Sequence, residues 1–253
     1  MLILLPPSEG KTPVASGRPV TLESLTFPSL ATDRAELMKR LAEVSAADDA
    51  LEILGVGSSL LDDVRRNTGL ESEPAATAAR IYTGVLFNAL GAASLSARGR
   101  KRARESVLVF SGLWGAVGLR DRIPAYRLSM AAALPGTGKL ASWWKPRLTP
   151  LLDQASDGQL VVDCRSSTYS AAWKPPTDRT VAVRVFREAA GSRSVISHMA
   201  KETRGELTRH LLERDGRPPR TPAQLLAAAN EKWTAELVPV RGGTPCQLDI
   251  VLK

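Results

Sequence analysis

Apolar and polar positions change period several times along the chain, and each change predicts an element. Residues 2–5, Leu-Ile-Leu-Leu, form an unbroken apolar run that enters Pro6-Pro7. This reads as a short strand buried on both faces and stopped by a turn. Pro13, Pro19 and Pro28 predict a loop over residues 13–30. Leu37, Leu41, Val44, Leu51 and Leu54 recur near helical spacing over residues 33–54, and residues 58–66 predict a second helix. Pro74 reads as a first-turn proline opening a third helix toward Leu90. Residues 107–110 read as a strand, 111–118 as a glycine-punctuated loop, 126–130 as a strand, and 142–155 as a helix broken at Pro146 and Pro150. Residues 160–164 and 180–187 read as strands, the second alternating Val181, Val183 and Val185 with Ala182, Arg184 and Phe186. An amphipathic helix follows over 195–213. Another is opened by Thr221 as N-cap with Pro222 in its first turn. Residues 235–240 and 246–252 predict a closing hairpin around Gly242-Gly243. Strands and helices mix without a regular βα rhythm. The expected fold class is α+β: a mixed sheet with surrounding helices, in one domain over residues 1–253.

With 43% hydrophobic and 24% charged residues, the 253-residue chain is a globular sequence and not a disordered one. No apolar run is long enough to predict a membrane span. The Met-Leu-Ile-Leu-Leu start lacks the basic segment of a signal peptide. Cys164 and Cys246 make no disulfide framework, which fits a reduced cytoplasm. With His198 and His210 they show no zinc spacing, and neither a metal nor a cofactor is expected. A net charge of +8 favours anionic partners, namely double-stranded DNA or a small anionic or nucleobase-containing ligand.

Six segments carry candidate chemistry. Residues 6–12, Pro-Pro-Ser-Glu-Gly-Lys-Thr, end like a phosphate-binding loop. However, Leu5 stands where that motif needs glycine, and Pro13 blocks the helix that should follow. What remains is an anion-contacting loop with Ser8 and Lys11 as ligands and Glu9 as acid or base. Gly55-Val56-Gly57 between two helices has the outline of a helix–hairpin–helix. Gly55 and Gly57 would approach DNA phosphates there, with Arg65 and Arg66 one to two turns on; a C-cap glycine followed by a new N-cap serine gives the same string. Residues 98–104 place five cations in seven positions, either as a solvated surface loop or as a phosphate-backbone contact. Ser111, Trp114, Arg120, Asp121, Tyr126 and Arg127 crowd a region after a strand, where sites gather. Asp163, Cys164, Arg165, Ser166 and Tyr169 follow another strand. Lys201 and Arg204 share a helix face with Gly205, a residue that costs about 1 kcal/mol in a helix interior and therefore marks a close approach by a ligand or a neighbouring element.

Taken together and in this order, these motifs resemble the YaaA family (UPF0246, DUF328). The resemblance rests on the 6–12 segment, Tyr82-Thr83-Gly84, Ser111-Gly112-Leu113-Trp114-Gly115, Pro124-Ala125-Tyr126-Arg127-Leu128, the 161–169 strand and loop, and Ala200-Lys201-Glu202-Thr203-Arg204-Gly205. Trp114 and the Asp163-Cys164-Arg165 form point to a divergent, actinobacterial-type branch. The resemblance implies a cytoplasmic, DNA-binding protein of the peroxide stress response that limits iron-dependent damage, with a basic cleft. On that reading Lys11, Arg120, Arg127, Arg165, Lys201 and Arg204 line the cleft, and Tyr82 joins the site. The residues themselves also support an enzyme, of lyase or glycosidic-bond-cleaving type. Its base would be Glu9 or Asp163, with Lys201 and Arg204 stabilising negative charge. The scarcity of His and Cys argues against a strong iron site.

Overall fold

A computed structural model describes residues 1–189, 192–194, 197–239 and 242–252. Twelve strands lie among them: β1 (Leu2–Leu5), β2 (Ala76–Thr77), β3 (Val107–Ser111), β4 (Gly115–Gly118), β5 (Arg122–Ile123), β6 (Ala133–Leu134), β7 (Gly138–Lys139), β8 (Val161–Asp163), β9 (Thr180–Ala189), β10 (Ser192–Ser194), β11 (Thr234–Val238) and β12 (Cys246–Leu252). The α-helices are α1 (Ala31–Ser45), α2 (Ala50–Leu54), α3 (Leu61–Arg66), α4 (Ala78–Ile81), α5 (Val85–Leu90), α6 (Ala97–Ser106), α7 (Leu140–Ala155), α8 (Ser167–Ser170), α9 (Ser197–Glu213) and α10 (Pro222–Asn230).

The fold is α+β, as expected. Eight strands form a mixed sheet in the order β11-β12-β9-β8-β1-β3-β4, with β10 beside β9. The central pairs β12–β9, β9–β8, β8–β1 and β1–β3 are parallel, and β3–β4, β11–β12 and β9–β10 are antiparallel. β1 is buried throughout because helices cover both faces of a parallel core, which explains its lack of alternation. In β9 the valines 181, 183 and 185 are buried, as the alternation predicted. The β11–β12 hairpin is present, although Val240 of its predicted first strand lies outside the described residues. Val195 and Ile196 of the predicted long helix also lie outside them. Thr221 caps α10 as expected, its Oγ1 accepting from Gln224 N–H at 3.2 Å.

Several local readings are corrected. The 33–54 helix is two helices separated at 46–49. Pro74 opens no helix; α4 starts at Ala78, and Gly84 (φ 99°) breaks the path before α5. Residues 115–118 are a strand, because Gly115 (φ 72°) makes the tight return and its missing Cβ leaves room for the Trp144 ring. The buried Arg34 braces this hairpin by donating to the carbonyls of Trp114 (3.1 Å) and Ala116 (3.2 Å). Residues 126–130 form no strand. Asn67 instead supplies the pairing that a strand would need, donating to Arg127 O (2.9 Å) and accepting from Arg127 N–H (2.8 Å). α7 runs unbroken through Pro146 and Pro150. Both prolines are exposed, opposite the buried stripe Leu140, Trp144, Leu148 and Leu152, so their missing hydrogen bonds fall on the solvent side.

The basic run 98–104 is helix α6, not a loop. Ser96 caps it, accepting from Gly99 N–H at 3.0 Å, and the Glu213 carboxylate accepts from the Ser96 amide and hydroxyl at 2.6 Å each. Gly205 is explained by helix packing. A Cβ there would stand 2.1 Å from Leu86 O of α5, so the backbones of α5 and α9 meet at this point.

Candidate functional site

Strand order places the site. The chain leaves β1, returns as β3 on one side and as β8 on the other. Loops following these three parallel strands therefore diverge from one carboxyl edge, which is where open parallel sheets form binding crevices. Residues 6–11 follow β1, Ser111 ends β3 and leads into Gly112–Trp114, and residues 164–169 follow β8. The segment around Tyr82 joins them through an antiparallel bridge between Lys11 and Tyr82, with Thr12 N–H donating to Ile81 O at 2.9 Å.

At the centre is a hydroxyl chain. Ser111 Oγ stands 2.6 Å from the Tyr126 hydroxyl, which stands 3.0 Å from the Tyr82 hydroxyl. Ser111 Oγ also accepts from the backbone N–H groups of Leu113 (3.2 Å) and Trp114 (2.9 Å). All three side chains are buried. Burial pushes the phenols of Tyr82 and Tyr126 well above their ordinary values, so both are protonated donors near neutrality.

Lys11 closes over this chain. Its Nζ donates to Ser8 O at 2.8 Å and lies 4.2 Å from the Tyr126 ring centre and 5.8 Å from that of Tyr82. Desolvation of the ammonium brings its pKa down from 10.5 to about 8, against a partly compensating pull from Glu9. At the mouth, Arg127 donates to Glu9 O (3.1 Å) and pairs with its carboxylate (3.3 Å). Tyr169 is buried, with its hydroxyl beside the Met130 backbone N–H and the Ser129 side chain. Burial, reinforced by the charge of Glu9, pushes it up to about 12.

Trp114 is fully enclosed, edge-on to Tyr126 with ring centres 5.8 Å apart, and backs the hydroxyl chain from behind. Trp144 holds the same turn by donating to Gly112 O at 2.8 Å. Asp121 ties its own turn to a distant segment, accepting from the Thr26 N–H (2.9 Å) and hydroxyl (3.1 Å) and from Gly118 N–H (3.0 Å). Asp163 and Arg165 form a two-bonded pair at 2.9 and 2.7 Å, the guanidinium buried over the Phe110 ring. Cys164 is buried, and desolvation pushes its thiol up to about 12. Arg204 reaches the same edge from α9, donating to Val183 O at 3.1 Å and acting electrostatically on Cys164, while its Nε has no partner. Lys201 and Ser166 are exposed. Among the described residues, no group of three or more His, Cys, Asp and Glu side chains could hold a metal ion.

The structure thus gathers Ser8, Glu9, Lys11, Tyr82, Ser111, Tyr126, Arg127 and Tyr169 at one edge, with Asp163, Arg165 and Arg204 beside them. Gly55, the left-handed C-cap of α2, and Gly57 lie in the α2–α3 connection, and Arg65 and Arg66 end α3, where they pair with acids of their own helix, Asp62 (3.9 Å) and Asp63 (3.2 Å). Arg120 lies elsewhere again, with Arg80, Arg100, Lys101 and Arg104 around a cavity of about 750 Å³ floored by alanines and leucines; among the described residues no carboxylate lines it. Sequence reasoning missed Asn67, which sets the Arg127 backbone, and Arg34; nothing local marks a residue whose partners lie 60 or 80 positions away.

The chain folds as an α+β protein, with a candidate site of hydroxyl and amine groups at the carboxyl edge of its parallel strands. The sequence profile of the family described as peroxide stress protein YaaA matches residues 1–236. A UPF0246 protein of Streptomyces coelicolor is 44% identical over all of this chain and 98% of its own length. One of Corynebacterium efficiens is 40% identical over 83% of this chain and 84% of its own. The chain belongs to the peroxide stress protein YaaA family. An uncharacterised protein of Campylobacter jejuni is 26% identical over 82% of both chains.

Proposed function

We propose that this protein serves the peroxide stress response through acid–base chemistry on a small anionic substrate at the carboxyl-edge site. One observation carries the reading: the Lys11 amine is held against two buried phenols and a backbone carbonyl, with its pKa near 8. An amine titrating near neutrality can take and return a proton in turnover, which an ordinary lysine does poorly. The expected cationic groove is less well supported at this edge. Lys11 is turned inward, Arg127 is paired with Glu9, and Arg165 is saturated by Asp163. A limit on iron-dependent damage would then follow from the product of the reaction.

DNA binding is the second reading, favoured by a different surface. Arg80, Arg100, Lys101, Arg104 and Arg120 are exposed, and among the described residues no carboxylate lines the cavity they surround, the one acid in ion-pair reach being Glu105, 3.8 Å from Arg104. Such a face suits phosphate-backbone contacts.

Complementation separates the two. A strain lacking its own copy is challenged with hydrogen peroxide while chelatable iron is measured. Under the first reading Lys11→Met fails to restore protection, and the triple reversal of Arg100, Lys101 and Arg104 to Glu succeeds. Under the second the triple variant fails, and duplex affinity measured by anisotropy loses roughly three units of log–log salt slope. Full protection by Lys11→Met refutes the first reading; a salt-independent affinity refutes the second.

A further inference from the structure

The ten residues of α6 include five cations, and the helix sorts them onto two faces. Arg98 and Arg102, one turn apart, fasten α6 to the end of α9. Arg98 pairs with Asp215 (2.8 Å) and donates to Glu213 O (2.9 Å), and Arg102 donates to Leu212 O (3.2 Å) and Arg214 O (2.7 Å). Ala97, Arg100, Lys101 and Arg104 recur at the spacing of one helix face and line the cavity of about 750 Å³. Arg80 of α4 and Arg120 of the β4–β5 turn stand on its other wall, where Ala79 N–H donates to Leu119 O at 3.0 Å. Both walls are thus fixed by contacts that the cavity cations do not make. Glu105 lies 3.8 Å from Arg104; among the described residues no ion pair holds Arg80, Arg100, Lys101 or Arg120. Like charges three and four positions apart oppose a helix. The anchored opposite face lets α6 carry that imbalance, and an anion in the cavity would relieve it.

Charge alone does not describe this cavity. Its floor is apolar, made by Ala79, Ala92, Leu95, Ala103 and Leu119, and the small alanine side chains leave it hollow. Thr77 is the one uncharged polar side chain among the lining residues, and none of them is aromatic. A duplex backbone would meet the cations and leave the floor in water. A nucleobase would find no ring to stack on and little beyond Thr77 for its polar edge. A hydrocarbon body laid on the floor gains by leaving water, and a phosphate among guanidinium groups accepts charge-assisted hydrogen bonds. Five cations facing one acid suit a doubly charged head. The volume falls within the roughly 300–1,000 Å³ of small-molecule sites. We propose that the cavity between α4, α6 and the β4–β5 turn binds a small phosphorylated hydrocarbon, its phosphate among Arg80, Arg100, Lys101, Arg104 and Arg120 and its apolar body on the alanine floor. Such a ligand stands apart from the acid–base site and competes for the face that the DNA reading gives to a duplex.

The test uses the full chain and octyl phosphate below its micelle-forming concentration, by titration calorimetry. Inorganic phosphate has the head without the body, and octyltrimethylammonium the body with the opposite charge; each is expected to bind at least tenfold more weakly. Ala97→Phe, at an exposed position, sets a ring over the floor and keeps all five cations. It should weaken octyl phosphate at least tenfold. Joint replacement of the exposed Lys101 and Arg104 by glutamine should do the same, because hydrogen bonds to a charged group are lost. Octyl phosphate that fails to bind, that binds Ala97→Phe as it binds wild type, or that inorganic phosphate matches overturns the proposal. Duplex affinity, read by anisotropy on the same proteins, keeps the two readings of this face apart. Duplex binding lost in the glutamine variant, with no octyl phosphate bound by wild type, overturns the proposal and leaves the DNA reading standing. Octyl phosphate bound by a protein without duplex affinity upholds the proposal and ends the DNA reading. Sedimentation with phosphatidylglycerol vesicles, in a protein that does not bind free octyl phosphate, gives the face to a membrane surface and overturns the proposal as well.

Discussion

Replacing Lys11 by methionine keeps the aliphatic stem and removes the amine. In the folded chain, burial between Tyr126 and Tyr82 lowers that amine from 10.5 to about 8. The difference corresponds to about 3 kcal/mol of unfavourable burial while the group is charged. Below pH 8 both folded and unfolded chains hold the proton, so the native state bears the whole penalty. Between about 8 and 10.5 the native amine has released its proton and the unfolded one has not. Unfolding then takes up a proton, and stability rises with pH. Above that window the penalty is gone. Lys11→Met has no such term. Its loss of the Ser8 hydrogen bond costs about 1 kcal/mol, which leaves it about 2 kcal/mol more stable than wild type at pH 7. Urea unfolding from pH 7 to 11, followed by tryptophan fluorescence, measures this, because Trp114, Trp144 and Trp173 are all buried. Subtracting the two proteins cancels every other titrating group. The stability of wild type relative to the variant should climb by about 3 kcal/mol across the window. Parallel pH profiles would refute the claim that the amine is desolvated, and the acid–base role with it.

Gly205→Ala should cost about 3 kcal/mol, because its methyl group meets Leu86 O and α5 and α9 must part. Gly57→Ala, with open space around it, should change the urea midpoint little. Asp163→Asn leaves the Arg165 guanidinium buried without its ion partner, so a loss of about 3–5 kcal/mol is expected in urea unfolding. Activity lost in that variant would then track unfolding, and a fully stable Asp163→Asn would contradict the pairing. Glu213, held below its usual range chiefly by the Ser96 hydroxyl, stabilises the native chain at neutral pH and ceases to as pH falls through its folded value. Glu213→Gln should flatten stability between pH 6 and 3, and an unchanged acid limb would disprove it.

Local chemistry carried a good part of the fold. The run Leu2–Leu5, the valines of β9, the Thr221 cap and the closing hairpin each announce themselves within a few residues, because strand burial, alternation and capping are short-range. Errors fell where a distant partner overrides a local rule. Pro146 and Pro150 stay in a helix because their side faces water while Trp144 and Leu148 pack. Residues 115–118 form a strand because Arg34 and Trp144 brace their turn. Arg127 needs no strand neighbour because Asn67 pairs its backbone.

The sequence by itself determined which residue types reach the candidate site: the segments 8–11, 111–127 and 163–169 follow apolar runs that had to become parallel, buried strands. Only tertiary structure decided what each does there. It turned Lys11 inward over two phenols, tied Asp163 to Arg165, enclosed Trp114 and carried the α6 cations to a separate face. The reason is range. Burial preference and turn chemistry act within a few residues, whereas desolvation, ion pairing and hydrogen-bond direction depend on groups the chain supplies from far away.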